Sequence, residues 1–324
     1  MANHISITDV GKVRSSNQDA VKVSENRIYI VADGVGGQRG GEVASRIAVE
    51  GIAEELQGFS PAKLHSGLMA QKISKAVLAV NKKILSQSRT DPAKAGMATT
   101  VVVVYRLWRK IVFGWVGDSR LYRYRDGELR QLTRDHTMIQ EMVSAGRMSK
   151  EEARKHPRKN VINRAVGLTP KLEVDTAGAK IKKGDYYLLC SDGLTDRLDD
   201  DKIKAVLSDN SKSVAEKGQL LLQKSLDNGG NDNISIILFP ATNLFQQSGL
   251  SFLNKIGNIW KIFSRQKPVL KLVIMAMLLA AIAGGIFIKN HVQQAKIEQE
   301  QRQEQAKQKK SPCNLKWKSQ RSYQ

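Results

Sequence analysis

Short apolar runs alternate with long amphipathic stretches through the first 240 residues. Residues 28–32, 101–104, 111–116, 186–190 and 234–239 are nearly unbroken apolar runs of four to six residues. Each is too short for a helix and too continuous for a one-sided strand, so they predict strands buried on both faces. Val21 and Val23 alternate with Lys22 and Ser24, which predicts a half-exposed strand turning through Glu25-Asn26 into the 28–32 run. Residues 121–124 and 129–132 flank Asp126-Gly127, a hairpin signal. Residues 172–177 read as one more strand. Helical spacing appears in Val43, Ile47, Ile52 and Leu56, and again in Leu68, Ile73, Val77, Val80 and Ile84, predicting long helices over 42–56 and 64–85. Shorter helices are expected over 135–145, closed by Gly146, and over 200–207 and 214–227. Another starts at the capping box Ser149/Glu152 and ends before Pro157. Residues 4–17 are polar and yield no element. Strands and helices do not follow a βαβ alternation, so the class is α+β.

The pattern changes after residue 240. Residues 241–249 are polar and read as a linker. Leu250, Leu253, Ile256, Ile259, Trp260 and Phe263 then recur at helical spacing among Lys255, Lys261 and Arg265, a basic amphipathic segment suited to a membrane surface. Residues 272–288 are 17 residues without a charge, extended by Val269 and Leu270, and predict a single membrane-spanning helix over 269–288. The basic tail 289–324 is rich in Gln and Lys. The domain division is therefore 1–240, 241–268, 269–288 and 289–324.

Charge sharpens this division. Of 52 Lys/Arg and 31 Asp/Glu in 324 residues, the last 84 hold 14 and 3, so the tail is far more basic per residue than the body. Such a tail faces an acidic surface, either membrane or nucleic acid. The apolar run between its basic parts favours membrane lipid and no nucleic acid. Two distant cysteines, Cys190 and Cys313, make no disulfide framework and fit a reducing compartment. No secretory signal opens the chain. The expected placement is the cytoplasmic (inner) membrane, single-pass, with the N-terminal domain in the cytoplasm. The flanking charges add little, five Lys/Arg in the 20 residues before Leu272 and four in the 20 after Ile288.

Five aspartates stand at ends of predicted strands: Asp19, Asp33, Asp118, Asp192 and Asp232. If they met without a cation they would repel one another. Clustered carboxylates with few histidines favour Mg²⁺ or Mn²⁺ over Zn²⁺. Asp33 is followed by the glycine-rich Gly34 to Gly41, which does not match the dinucleotide fingerprint, because Arg39 stands where its third glycine belongs. Cys190 invites a cysteine-phosphatase reading, but the arginine expected six residues later is Asp196. Cys190 is taken as a core residue.

The series Arg14-Ser-Ser-Asn-Gln-Asp19, Asp33-Gly-Val-Gly-Gly37, Gly96-Met-Ala-Thr-Thr100, Gly117-Asp-Ser-Arg120, Asn163-Arg-Ala-Val-Gly167, Ser191-Asp-Gly193 and Asp232-Asn233 resembles the metal-dependent serine/threonine protein phosphatases of type 2C, the bacterial branch most nearly. The resemblance covers about residues 4 to 240. It implies a four-layer α-β-β-α sandwich of two antiparallel sheets flanked by helices. It also implies two Mn²⁺ or Mg²⁺ ions, with a third in bacterial members, that activate a water for attack on phosphoserine or phosphothreonine. By the same resemblance Asp33 bridges both metals and the Gly34 carbonyl serves the second. Asp192 and Asp232 hold the first, and Asp118 with Asp192 makes the weaker third site. Asp19 holds a water, Arg14 clamps the substrate phosphate, and residues 146–165 form a flap. Two departures stand out: Gln18 replaces a glutamate, and Val35 replaces a histidine proposed as general acid. Implied partners are phosphoproteins and a cognate Ser/Thr kinase. A member that had lost its metals would instead be a phosphoprotein-binding scaffold, and the retained aspartates argue for the enzyme.

Overall fold

The computed structural model describes residues 4–241 except 26, 37–39 and 60–64. Its strands are β1 (Ile5–Asp9), β2 (Ala20–Ser24), β3 (Ile28–Ala32), β4 (Gly34–Val35), β5 (Ala98–Thr99), β6 (Val101–Arg106), β7 (Lys110–Val116), β8 (Arg120–Arg125), β9 (Glu128–Gln131), β10 (Asp175–Lys180), β11 (Tyr186–Cys190) and β12 (Ile234–Pro240). Its helices are α1 (Gly40–Leu56), α2 (Ser66–Thr90), α3 (Met138–Ser144), α4 (Lys150–Lys155), α5 (Asp192–Thr195), α6 (Asp200–Ser208) and α7 (Val214–Asp227). Two five-stranded sheets, ordered β1-β12-β11-β8-β9 and β10-β7-β6-β3-β2, pair antiparallel throughout.

The continuous apolar runs follow from these layers. In β3, Ile28, Ile30 and Ala32 face α1 and α2, while Tyr29 and Val31 point between the sheets. In β11 and β12, Leu188, Cys190, Ile234, Ile236 and Leu238 pack with residues of α5, α6 and α7. Their neighbours Tyr187, Leu189, Ile237 and Phe239 fill the space between the sheets. Alternate side chains therefore enter two different cores, and no face of these strands meets water. Across the middle, Tyr29 stacks on Phe239 with ring centroids 3.8 Å apart, and Tyr187 lies 5.4 Å from the same ring. Such aromatic pairs add roughly 0.5–1.5 kcal/mol beyond their buried area. The α+β sandwich with helices on both outer faces is as expected, and Cys190 is the buried core residue it was taken for.

Three elements differ from expectation. Residues 5–9, read as featureless, form β1 on the edge of the first sheet, paired with β12. The strand expected over 172–177 is β10 at Asp175–Lys180, while Leu172 is buried against the α1–α2 core. The long second helix runs to Thr90 rather than ending near 85. Among the described residues no helix is long and apolar enough to cross a membrane. The expected span 269–288, with its juxtamembrane segment and tail, lies outside the described residues.

Candidate active site

The site lies where the two sheets deliver their strand ends. The β2–β3 hairpin pairs Ala20 with Ala32, so Asp19 and Asp33 face each other at the next step of the register. Asp118 follows β7, Asp192 follows β11, and Asp232 precedes β12. Arg14, Gln18, Asp33, Gly34, Val35, Thr100, Asp118, Asp192 and Asp232 line one cavity of about 790 Å³. Asp19 stands behind it, 8% exposed. Every residue singled out from the sequence is therefore at this one place.

Hydrogen bonds hold the carboxylates apart from the rest of the core. Ser191 Oγ donates to Asp19 Oδ2 at 2.7 Å. Around Asp33, Thr100 N and Thr99 Oγ1 both donate to its carbonyl at 2.8 Å, fixing the turn that presents its side chain. Asn233 Nδ2 donates to the carbonyls of Val10 and Ser16, and its Oδ1 accepts from Gln18 N–H at 2.8 Å. This amide ties the loop carrying Arg14 to the loop carrying Asp232. Gly34 and Gly41 are required by contact: a Cβ on Gly41 would lie 2.7 Å from the Gly34 carbonyl oxygen and 2.6 Å from Gln18 Oε1. Only a glycine there lets the start of α1 lie against the turn after Asp33.

Electrostatics point to a cation. Burial, then repulsion by Asp19, Asp192, Asp118 and Asp232, raises Asp33 well above the usual carboxylate range. Burial, then Asp118, Asp196 and Asp232, does the same for Asp192. Burial pushes Asp19 up to about 6. Burial, then Asp135, pushes Asp118 up to about 7. Among the described residues Asp192 Oδ1 is buried without a hydrogen-bond partner. A buried orphan carboxylate oxygen is costly unless an ion takes it. The donor set is entirely hard oxygen, which fits Mg²⁺ or Mn²⁺. Among the described residues no three His, Cys, Asp or Glu side chains cage an ion by themselves. An ion here would complete its sphere with a carbonyl such as Gly34 and with water.

At the mouth, Arg14 Nη2 donates to Asp232 Oδ2 at 2.8 Å, and the arginine side chain is 56% exposed. Asn160 and Ile162, from the expected flap, also line the cavity. Lys159 Nζ and Asn160 Nδ2 donate to the two oxygens of Asp196, at 2.8 and 2.5 Å, fastening this segment beside Asp192. Val35 is 40% exposed at the rim, so no imidazole stands at that position. The sequence did not single out Ser191, Thr99, Asn233 or Asp196. Ser191 and Asn233 sit inside quoted motifs, but nothing in residue type told which of them turns inward.

Repelling buried carboxylates beneath an open cavity, with a guanidinium at its mouth, define a divalent-metal hydrolase for an anionic substrate. A model of the protein phosphatase 2C family matches residues 11–228, and the chain belongs to that family. The serine/threonine phosphatase stp of Listeria monocytogenes (serotype 4b) is 38% identical over 235 residues, 71% of this chain and 92% of that protein. The serine/threonine phosphatase PstP/Ppp of Mycobacterium tuberculosis superposes with a TM-score of 0.68 at 35% identity, covering 73% of this chain and 97% of that one. A PstP catalytic domain solved with two manganese ions superposes with a TM-score of 0.65 at 34% identity, over 73% and 96% of the two chains. The protein is a serine/threonine phosphatase of type 2C.

Proposed function

We propose that the protein removes phosphate from phosphoserine and phosphothreonine of cytoplasmic proteins, using Mn²⁺ or Mg²⁺, from an anchor in the membrane. The supporting observation is the set of buried aspartates on one cavity with Asp192 Oδ1 left unpartnered. When bound, a pair of such ions lowers the pKa of water and neutralises phosphoryl oxygens. Asp33 would serve both ions and the Gly34 carbonyl the second, Asp192 and Asp232 would hold the first, and Asp118 with Asp192 a weaker third.

The chain's own groups supply the remaining chemistry. Arg14 can bring two N–H donors to the phosphate oxygens, a geometry a guanidinium holds better than an ammonium. Asp19 is buried beside Asp33, its pKa raised by burial, and its carboxylate can accept a hydrogen bond that orients a water in the cavity. Ser191 keeps its carboxylate oriented. The flap residues Asn160 and Ile162 form part of one wall of the cavity.

Membrane anchoring is inferred from the uncharged run 272–288 and the basic residues on either side. A cognate Ser/Thr kinase is the class of enzyme that must supply these substrates. The test is Asp192→Ala in the purified protein: Mn²⁺-dependent hydrolysis of a phosphoserine peptide should fall to near background while the protein stays folded. Near-normal turnover would contradict the assignment.

A further inference from the structure

A buried imidazole holds the turn that carries Asp118, yet it touches neither the substrate cavity nor a proposed metal oxygen. His136 is 7% exposed. Its backbone N–H donates to the Gly117 carbonyl at 2.9 Å, and its Nδ1 accepts from Gly117 N–H at 3.1 Å. Gly117 cannot easily seek another arrangement. Its φ is +101°, and a Cβ there would lie 2.6 Å from the Thr100 side chain. Because Nδ1 accepts, the proton of the neutral ring sits on Nε2, which donates to Asp175 Oδ2 at 3.2 Å. Trp115 stacks alongside, with centroids 6.1 Å apart and planes 22° from parallel.

The other side of the same residue meets the end of the flap. The His136 carbonyl accepts from Asn163 N–H at 3.0 Å, and the next residue, Thr137, bridges to Ile162. Arg164 Nη1 donates to Asp175 Oδ1 at 3.2 Å, so one carboxylate joins the imidazole to the returning flap chain. Ile162 itself lines the catalytic cavity. His136 therefore lies between the wall of the cavity and the turn before Asp118. Both ring nitrogens are thus committed, one to the Gly117 turn and the other to the carboxylate that Arg164 shares.

We infer that His136 is a positioning residue: its Nδ1 sets the Gly117 turn so that the Asp118 carboxylate can hold the third divalent ion, and its backbone ties that turn to the flap. The inference rests on the proposed role of Asp118 as a ligand.

Two substitutions separate the ring nitrogens. His136→Asn places its amide oxygen where Nδ1 stands, keeping the Gly117 acceptor and losing Asp175. His136→Gln reaches towards Asp175 and leaves Gly117 N–H without its acceptor, a buried donor unmade. Mn²⁺ binding to the full-length protein is followed by calorimetry, beside the Mn²⁺ concentration for half-maximal hydrolysis of a phosphothreonine peptide. The Asn variant should keep the weak third ion, with half-saturation within about threefold of wild type. The Gln variant should keep two tight ions, lose the third, and need about tenfold more Mn²⁺. Equal shifts in both variants, or a third ion retained in the Gln variant, would overturn the inference. Should the Gln variant not fold, loss of the third ion in the Asn variant does the same. Asp118→Asn tells the two failures apart: unchanged stoichiometry there means that Asp118 is no ligand. A third ion lost there but kept in the Gln variant means that His136 alone was misassigned.

Discussion

The carboxylates of the site carry opposite demands, since the fold buries them and the chemistry needs them charged. In an unfolded chain an aspartate titrates near about 3.9. Asp19 and Asp118 are pushed up to about 6 and about 7 in the fold, chiefly by burial. A carboxyl raised in this way favours the fold fully below its unfolded pKa, and that contribution is lost as pH rises through the folded value. With divalent metal chelated, the stability of the wild type relative to Asp118→Asn should therefore fall between about pH 4 and about pH 7, on the order of 1 kcal/mol per pH unit. Added Mn²⁺ should reverse the trend. Urea unfolding of both proteins across that range checks it, and parallel curves would contradict it. Arg14 makes a separate prediction. Losing its charged contact to phosphate, about 1.5–3 kcal/mol, should raise KM roughly ten- to hundredfold in Arg14→Ala while kcat changes little. A collapse of kcat at unchanged KM would assign Arg14 to the reaction step rather than to binding.

At the level of elements, the contact between the turn after Asp33 and the start of α1 is a tight constraint. In Gly41→Ala the new methyl would meet the Gly34 carbonyl and Gln18. The expected outcome is at least tenfold weaker Mn²⁺ binding by calorimetry, with the thermal transition lowered by only a few degrees, because the cores behind the site are untouched. Wild-type metal affinity would mean that this turn yields freely. Buried elements were legible in the sequence because two cores claim alternate residues of β3, β6, β11 and β12, leaving apolar runs that nothing else explains. Edge elements were not. In β1 only every second residue is partly covered, and β10 is mostly exposed with Gly178 at its middle, so neither carries a hydrophobic signature. Leu172, where β10 was expected to begin, is instead buried in a loop. The aspartates were legible by their place at strand ends. The groups orienting them were not, because a serine, threonine or asparagine that bonds a backbone atom looks in sequence like any turn residue. His136 escaped for the same reason.

For the whole molecule, the described body accounts for the catalytic site, and the anchor is a separate proposal resting on residues 269–288. The prediction is that the full-length protein partitions with membranes and resists high-salt extraction, while a chain ending at Ala241 is soluble and keeps its activity. Release of the full chain by salt alone would reduce the anchor to a peripheral, electrostatic one. The central claim is that the aspartates gathered at the strand ends form a divalent-metal phosphatase site. Its most direct test is turnover of a phosphothreonine peptide by the purified full-length protein, chelated and then resupplied with Mn²⁺, beside Asp33→Asn. The account predicts activity that returns only with Mn²⁺ and is reduced roughly a thousandfold or more in the variant. Turnover that survives chelation, or that Asp33→Asn leaves at the wild-type level, would contradict it.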